Sequence, residues 1–341
     1  MICGNVTVVF VMDFSNVLVV GGAGYIGSHT CKELKLNGFN PVVLDNLSEG
    51  HDWAAKFGPL ERGNAGDYDF VASVIRKHNI GSVLHFAANA YVGESVTNPR
   101  KYIRNNVTAM DQLLGACIDT GVSKFIFSSS CATYGVPQYV PLNEQHPQNP
   151  ISPYGETKYM GERILHWYSG AYNLSYVALR YFNASGADPD GEIGEVHNPE
   201  SHLIPLILQA VLGKRPHIGV FGTDYETPDG TAERDYVHVK DLADAHVRAL
   251  QYLINGGESA KVNLGSGRGY SVKEVIDAAA KVTGRDFPVE YQDRRPGDPP
   301  ALYADPSYAK ELLGWTPKHS DLETIIKTAW DWELKRETLG V

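Results

Sequence analysis

From Val17 onward, short apolar runs alternate with stretches in which apolar residues recur every three or four positions. The runs Val17–Val20, Pro41–Leu44, Ser82–Phe86, Lys124–Ser128 and Ser175–Leu179 predict β-strands. Between them, Ile26–Asn37, Asp69–His78 and Asn105–Thr120 predict helices. Such βαβ alternation implies a parallel sheet. Strands that are apolar at successive positions leave no polar face for water, so helices must cover both sides. The expectation is an α/β fold with a Rossmann-like, doubly wound parallel sheet.

After about residue 180 the pattern changes. Glycine, proline and charged residues become frequent, as in Asp188-Pro189-Asp190-Gly191 and Tyr225–Gly230. Helical patterns at Leu203–Leu212, Val272–Val282 and Leu322–Trp332 are separated by long loops. This predicts a nucleotide-binding domain over 17–180 and a smaller, loop-rich α/β substrate domain over 181–341. The boundary is blurred, because strands of such a lobe can return to the first sheet. A length of 341 residues accommodates both.

Residues 1–16 read as an N-terminal extension, with Met12 a candidate start. The apolar run Val6–Met12 has no positive n-region and no small-residue cleavage site, and it is too short to span a bilayer. The net charge of −10 argues against nucleic-acid binding. Four cysteines (Cys3, Cys31, Cys117, Cys131) lack metal-binding spacing, which fits a reduced, cytoplasmic protein with no metal site. Cys131 has no neighbouring charge to support a thiolate.

Three strings carry the chemistry. Gly21-x-x-Gly24-x-x-Gly27 follows a strand and precedes a helix, the context in which a glycine turn brings a pyrophosphate to a helix N-terminus. Asp45 ends the second strand, where a carboxylate accepts from adenosine ribose hydroxyls and repels a 2′-phosphate. No arginine follows in Asn46-Leu47-Ser48-Glu49, so NAD is favoured over NADP.

Tyr154 and Lys158 stand one helical turn apart after Ser152-Pro153, a helix-start signal. A free phenol titrates at about 10; a nearby cation and a positive nicotinamide lower that value towards that of a useful base. A second Tyr-x-x-x-Lys match, Tyr236 and Lys240, lies in an alternating stretch that reads as extended, which separates the pair. Ser130 sits at the C-terminal end of its strand, where ligands bind in open α/β sheets, and its hydroxyl can hold both the substrate oxygen and Tyr154. Ser130, Tyr154 and Lys158 are the catalytic candidates.

With these residues in hand, the chain resembles the UDP-sugar 4-epimerase branch of the extended short-chain dehydrogenase/reductase family, from Val17 to about Trp332. The matching strings are Gly21–Thr30, Leu44-Asp45-Asn46, His85-Phe86-Ala87-Ala88, Val92-Gly93-Glu94-Ser95, Ser128–Gly135, Ser152–Lys158, Arg180-Tyr181-Phe182-Asn183, Phe221–Val239 and Arg294–Asp298. The resemblance implies reversible epimerisation at C4 of a UDP-hexose, UDP-glucose to UDP-galactose, with NAD bound throughout. Tyr154 would take the 4-hydroxyl proton as hydride leaves C4. The 4-keto sugar would then turn over on its pyrophosphate tether and be reduced on its other face.

The same resemblance places Gly21, Gly24, Tyr25, Ile26, Gly27, Asp45, Asn46, Asn64, Ala65, Phe86, Ala87, Ala88, Ala90, Asn105, Lys158 and Phe182 around NAD. It places Ser130, Tyr154, Asn183, His202, Leu203, Phe221, Arg234, Arg295, Asp298 and Leu302 around the UDP-sugar. The chemistry of the last group agrees: Arg234 and Arg295 are planar, permanent cations suited to a diphosphate, and Asp298 can accept from ribose. Four positions depart from the best-known bacterial form of that family. Asn64 replaces an aspartate near adenine, Ala90 a lysine near the cofactor, His202 an asparagine and Leu302 a tyrosine of the sugar-pocket wall.

The Leu302 change keeps UDP-xylose/UDP-arabinose and UDP-N-acetylglucosamine 4-epimerases open as alternatives. A dehydratase needs an acid/base carboxylate pair where Cys131-Ala132 stands. A uronate substrate would want a further cation near the sugar. A non-catalytic NAD-sensing scaffold would be marked by loss of the tyrosine or lysine, and both are present. A homodimer is implied by resemblance, with no membrane partner.

Overall fold

The computed structural model describes residues 13–295 and 297–340; the apolar run Val6–Met12 lies outside them. The frame is a seven-stranded sheet, parallel throughout. Six strands come from the first 181 residues: β1 (Asp13–Val20), β2 (Asn40–Asp45), β3 (Leu60–Arg62), β4 (Ile80–His85), β5 (Lys124–Ser130) and β6 (Ser175–Tyr181). The seventh, Ala260–Leu264, comes from far along the chain, and the order is Ala260–Leu264, β6, β5, β4, β1, β2, β3. The order reverses between β1 and β4. A crevice for ligands therefore opens at the carboxyl ends of those two strands.

Why the sheet is covered on both faces is plain in β1. Val17 and Val19 face one core and Leu18 and Val20 the other, and all four are fully buried. Each such side chain contributes about 1.5–3 kcal/mol of burial. The first core is closed by helix α1 (Tyr25–Leu36) and helix Val239–Ile254, the second by helix α2 (Tyr68–His78) and helix Ala109–Thr120. A separate core, with Ile207, Tyr236, Val275 and Ile325, joins helices Leu203–Val211, Val272–Thr283 and Leu322–Leu339.

Three differences from the pattern have local causes. Strand β1 is described from Asp13 rather than Val17, because Asp13-Phe14-Ser15-Asn16, mostly polar, extend it, with Asp13 opposite Ile80. The expected helix Asn105–Thr120 begins with a wider turn, Ile103–Thr108, before the regular helix Ala109–Thr120. Such turns are common near functional sites, and here the wider turn carries buried Asn106. The Asn106 amide donates to the Asn89 carbonyl at 3.0 Å and to Thr157 Oγ1 at 3.1 Å, tying the loop after β4 to the helix of Tyr154. Strand Ala260–Leu264 was masked by Lys261 and Asn263. The buried Asn263 amide donates to the Leu142 carbonyl, and its oxygen accepts from the Tyr134 hydroxyl at 2.7 Å.

Candidate active site

The glycine turn ends in a helix whose first donors are open. Gly24 caps α1 in extended backbone (φ −85°, ψ 178°), and among the described residues no side chain caps it and no acid lies in its first turn. The positive end of the helix dipole is thus left for an anion. A Cβ on Gly27 would stand 2.2 Å from the Gly21 carbonyl oxygen, so the close turn requires glycine there. Asp45 braces the turn, one carboxylate oxygen accepting from Ala23 N at 3.0 Å and the other from Leu47 N at 2.8 Å. Burial pushes its pKa up, against the pull of these backbone donors. Each oxygen keeps a second lone pair for a ribose hydroxyl.

Next to the turn, Asn46, Asn64 and Asn105 line one cleft of about 710 Å³. Arg100 and Arg104 enter the same cleft and were not found from sequence; their i, i+4 spacing before Asn105 is the signal that would have found them. Tyr25 donates to the Gly186 carbonyl at 2.6 Å, and Ile26 packs on the first core. Ala65 is buried, Ala87 N donates to the Val20 carbonyl, and the Phe86 ring lies 4.6 Å from that of His246. Ala88 is half-buried in the loop after β4 and Ala90 is exposed.

The Tyr154 helix, Pro153–Ala171, starts as its sequence predicts: Ser152 Oγ accepts from Gly155 N at 3.1 Å, and Pro153 takes the first turn. Gly155 lets this helix start press on the turn after β5; a Cβ there would lie 2.4 Å from the Ala132 carbonyl oxygen. Tyr154, Lys158 and Glu162 consequently form one stripe facing the ends of β5 and β6. Lys158 Nζ donates to the Ser128 carbonyl at 2.7 Å and stands 5.9 Å from the centre of the Tyr154 ring. Ser130 ends β5, and its Oγ accepts from Ala132 N at 3.1 Å.

The titration of the pair differs from expectation. Burial pushes Tyr154 up to about 12, and its contact with Ser130 pulls only partly the other way. Burial also drags the Lys158 ammonium down to about 7. Burial thus outweighs the Ser130 contact at Tyr154, and a positive charge beside the phenol would pull its value back towards that of a useful base.

Below the pair lies an ion pair not singled out from sequence. Arg180 Nε and Nη2 donate to the two Glu162 oxygens at 2.8 and 2.6 Å, and Ser129 Oγ donates to Glu162 Oε1 at 2.6 Å. Glu162 and Arg180 are both essentially without solvent exposure. The signal was the i+4 continuation of the Tyr154–Lys158 stripe.

The substrate candidates gather in smaller groups. Arg295 stacks on Phe221, its guanidinium carbon 3.7 Å from the ring centre. Arg234 is ion-paired with Asp298, and Leu302 is its register partner in the short strand pairing of Ala301–Leu302 with Glu233–Arg234. Leu302 packs with Phe182 and Cys131, so one apolar cluster joins a cofactor candidate to the pocket wall. Asn183 Nδ2 donates to the Asp235 carbonyl at 2.9 Å. Leu203 opens helix Leu203–Val211, with His202 as its N-cap. His202 Nδ1 is turned to Glu195 (2.7 Å) and Glu200 (3.3 Å). Burial opposes its charge, yet those carboxylates carry His202 up to about 10. Tyr236 lies in the core of the second half, away from any helix shared with Lys240, and Cys131 is buried with its thiol pushed up to about 12 by burial.

The sequence pattern of the NAD dependent epimerase/dehydratase family matches residues 17–265. The chain belongs to that family. A UDP-glucose 4-epimerase of Rhizobium leguminosarum bv. trifolii is 53% identical over 324 residues, 95% of this chain and 99% of the relative. The crystal structure of UDP-glucose 4-epimerase from Brucella ovis in complex with NAD is 55% identical, with a TM-score of 0.91 over 93% of this chain and 97% of that one. UDP-glucose-4-epimerase from Stenotrophomonas maltophila, with bound NAD and formylated UDP-arabinopyranose, is 39% identical, with a TM-score of 0.92 over 95% and 99%.

In this epimerase/dehydratase chain, the buried lysine should cost stability. Its folded pKa of about 7 lies below the unfolded value of about 10.4. Between the two, the unfolded chain binds more protons, so this group makes stability rise with pH across that window. Lys158→Met in the cofactor-stripped chain should abolish that rise. Near pH 7 it should stabilise the fold by about 1–4 kcal/mol, with turnover lost. Urea unfolding of both chains at a series of pH values checks this; parallel pH profiles would contradict it.

Proposed function

We propose that this chain interconverts UDP-glucose and UDP-galactose by reversible epimerisation at C4, with NAD held tightly through every turnover. The observation that carries the reading is the Ser130, Tyr154 and Lys158 group at the carboxyl end of β5, on the same side of the parallel sheet as the open N-terminus of α1. Relatives at about half identity over nearly the whole chain support it.

The chain's residues divide the work. The α1 N-terminus and Asp45 suit the diphosphate and ribose of NAD, and Asn46, Asn64 and Asn105 the adenosine end. NAD, when bound, supplies the acceptor and donor of hydride at C4. Ser130 orients the sugar 4-hydroxyl, and Tyr154 takes and returns its proton. Lys158 holds the helix face against the Ser128 carbonyl and supplies charge beside the phenol. Arg234 and Arg295 suit the UDP diphosphate, and Asp298 its ribose. For Arg234 and Asp298, which pair with each other here, substrate would exchange one charged partner for another.

Residues 17–180 serve NAD and 181–341 the UDP-sugar. The assembly is a homodimer. Trp167 and Tyr172, half or more exposed at the end of the Tyr154 helix, are apolar surface for it. The compartment is the cytoplasm. Among the described residues no helix is long and apolar enough to cross a membrane, and Cys31, Cys117 and Cys131 are free thiols.

Leu302 sets substrate breadth. A 2-acetamido group must clear the wall while the keto sugar turns, so wall volume acts on the intermediate as well as on binding. UDP-galactose should be turned over efficiently and UDP-N-acetylgalactosamine clearly more slowly. Leu302→Ser should raise kcat/KM for the acetylated sugar by roughly 10-fold or more, the worth of one or two methylenes of space. Steady-state rates for UDP-galactose, UDP-N-acetylgalactosamine and UDP-xylose test the reading. Equal rates for the first two in the unmutated chain would refute the wall, and a strong lead for UDP-xylose would move the assignment to the pentose substrate.

A further inference from the structure

We propose that Glu195, His197, Glu200 and His202 form a binding site for one zinc-class divalent cation, a structural ion that ties the segment ahead of helix Leu203–Val211 to the start of α1. One donor atom from each of the four side chains lies within 4.8 Å of the other three. Glu195 Oε1 approaches His197 Nδ1 at 3.1 Å and His202 Nδ1 at 2.7 Å; Glu200 oxygens approach the same nitrogens at 3.6 and 3.3 Å. Zinc bonds of about 2.05 Å in a tetrahedron set neighbouring donors about 3.3 Å apart. The four separations straddle that edge length.

The angles make the second argument. Glu195 Oε1 and His197 Nδ1 are buried in short ion-pair contacts, but among the described residues neither completes an aligned hydrogen bond. Only 6% of the Glu195 side chain is exposed. Buried polar atoms are normally paired, so donors gathered this closely without alignment fit a shared central ion better than a set of mutual hydrogen bonds. Two carboxylates balance a dication, and the imidazole–carboxylate mixture favours zinc over magnesium or calcium, which prefer oxygen alone. His202 is 48% exposed and gives an entry path.

The location assigns the ion a structural role. The His197 ring packs edge-on against Tyr25, the first residue of α1, with centres 6.3 Å apart, and against Tyr91 at 6.2 Å. Four protein donors close the coordination sphere, which leaves no open position for chemistry. Among the described residues no cysteine belongs to the site; the signal in sequence is Glu195-x-His197-x-x-Glu200-x-His202.

The test uses the whole chain, treated with a chelator and then dialysed against micromolar zinc chloride. Metal analysis should find about one zinc per chain, X-ray absorption should show a nitrogen/oxygen shell with two imidazoles, and the melting temperature should rise on loading. His197→Gln should weaken zinc binding by at least ~10-fold with circular dichroism unchanged. Should that variant not fold, the absorption spectrum of the unmutated chain decides alone. Substoichiometric zinc at saturation, a sulfur-containing shell, fewer than two imidazoles, or undiminished binding by folded His197→Gln would overturn the proposal.

Discussion

Tyr154→Phe should lower kcat for UDP-galactose by at least ~10²-fold, the usual scale of general acid–base catalysis, while UDP still binds. The loss is confined to one hydroxyl. The ring keeps its place at the helix start, where Ser152, Pro153 and Gly155 fix the backbone. Tyr236→Phe is the matched control, since Tyr236 belongs to the core packed around helices Leu203–Val211 and Leu322–Leu339. Stopped-time assays with calorimetric UDP titration would separate chemistry from binding. Comparable collapse of turnover in both variants, with folding intact, would contradict the choice between the two Tyr-x-x-x-Lys matches.

Glu162→Ala should give the largest loss of stability. It strands the Arg180 guanidinium in a site with almost no water, and breaking one side of such a pair costs about 3–5 kcal/mol. Burial works against the Glu162 charge, but Arg180 holds the carboxyl below the usual range. A lowered folded value means that this stabilisation is present above the unfolded carboxyl's pKa of about 4.3 and is lost as pH falls through the folded one. Urea unfolding of the cofactor-stripped chain should show the drop. The double variant Glu162→Ala/Arg180→Met should recover part of it, because no fully buried charge is then left unpaired and Lys261, which also faces Glu162, is partly solvated. A loss under about 1 kcal/mol in the single variant would contradict the account.

What the chain disclosed before folding follows from where its information is local. Strands β1, β2, β4, β5 and β6 are buried on both faces, so their apolar runs stand out. Strand β3 carries Glu61 and Arg62 at the sheet edge, and Ala260–Leu264 hides its burial behind Lys261 and Asn263, so neither run is apolar enough to be read. The start of the Tyr154 helix was legible because Ser152 and Pro153 act within one turn. The Glu162–Arg180 pair was not, since its partners lie on different elements and meet only when the helix docks. The raised phenol of Tyr154 and the depressed ammonium of Lys158 were illegible for the same reason: spacing fixes which groups share a face, whereas burial fixes what they cost to charge. His202 could be placed near the sugar by resemblance, but its turn towards Glu195 and Glu200 depends on the tertiary path of the preceding loop.

The central claim is a closed redox cycle on a UDP-hexose, run by this chain without exchange of cofactor. Proton NMR of UDP-galactose incubated with the purified chain, with no NAD added, tests it most directly. The anomeric signal of UDP-glucose should grow to equilibrium, and acid denaturation of the same sample should release close to stoichiometric NAD. No UDP-glucose signal, or conversion that appears only in proportion to freely exchanging NAD, would contradict the account.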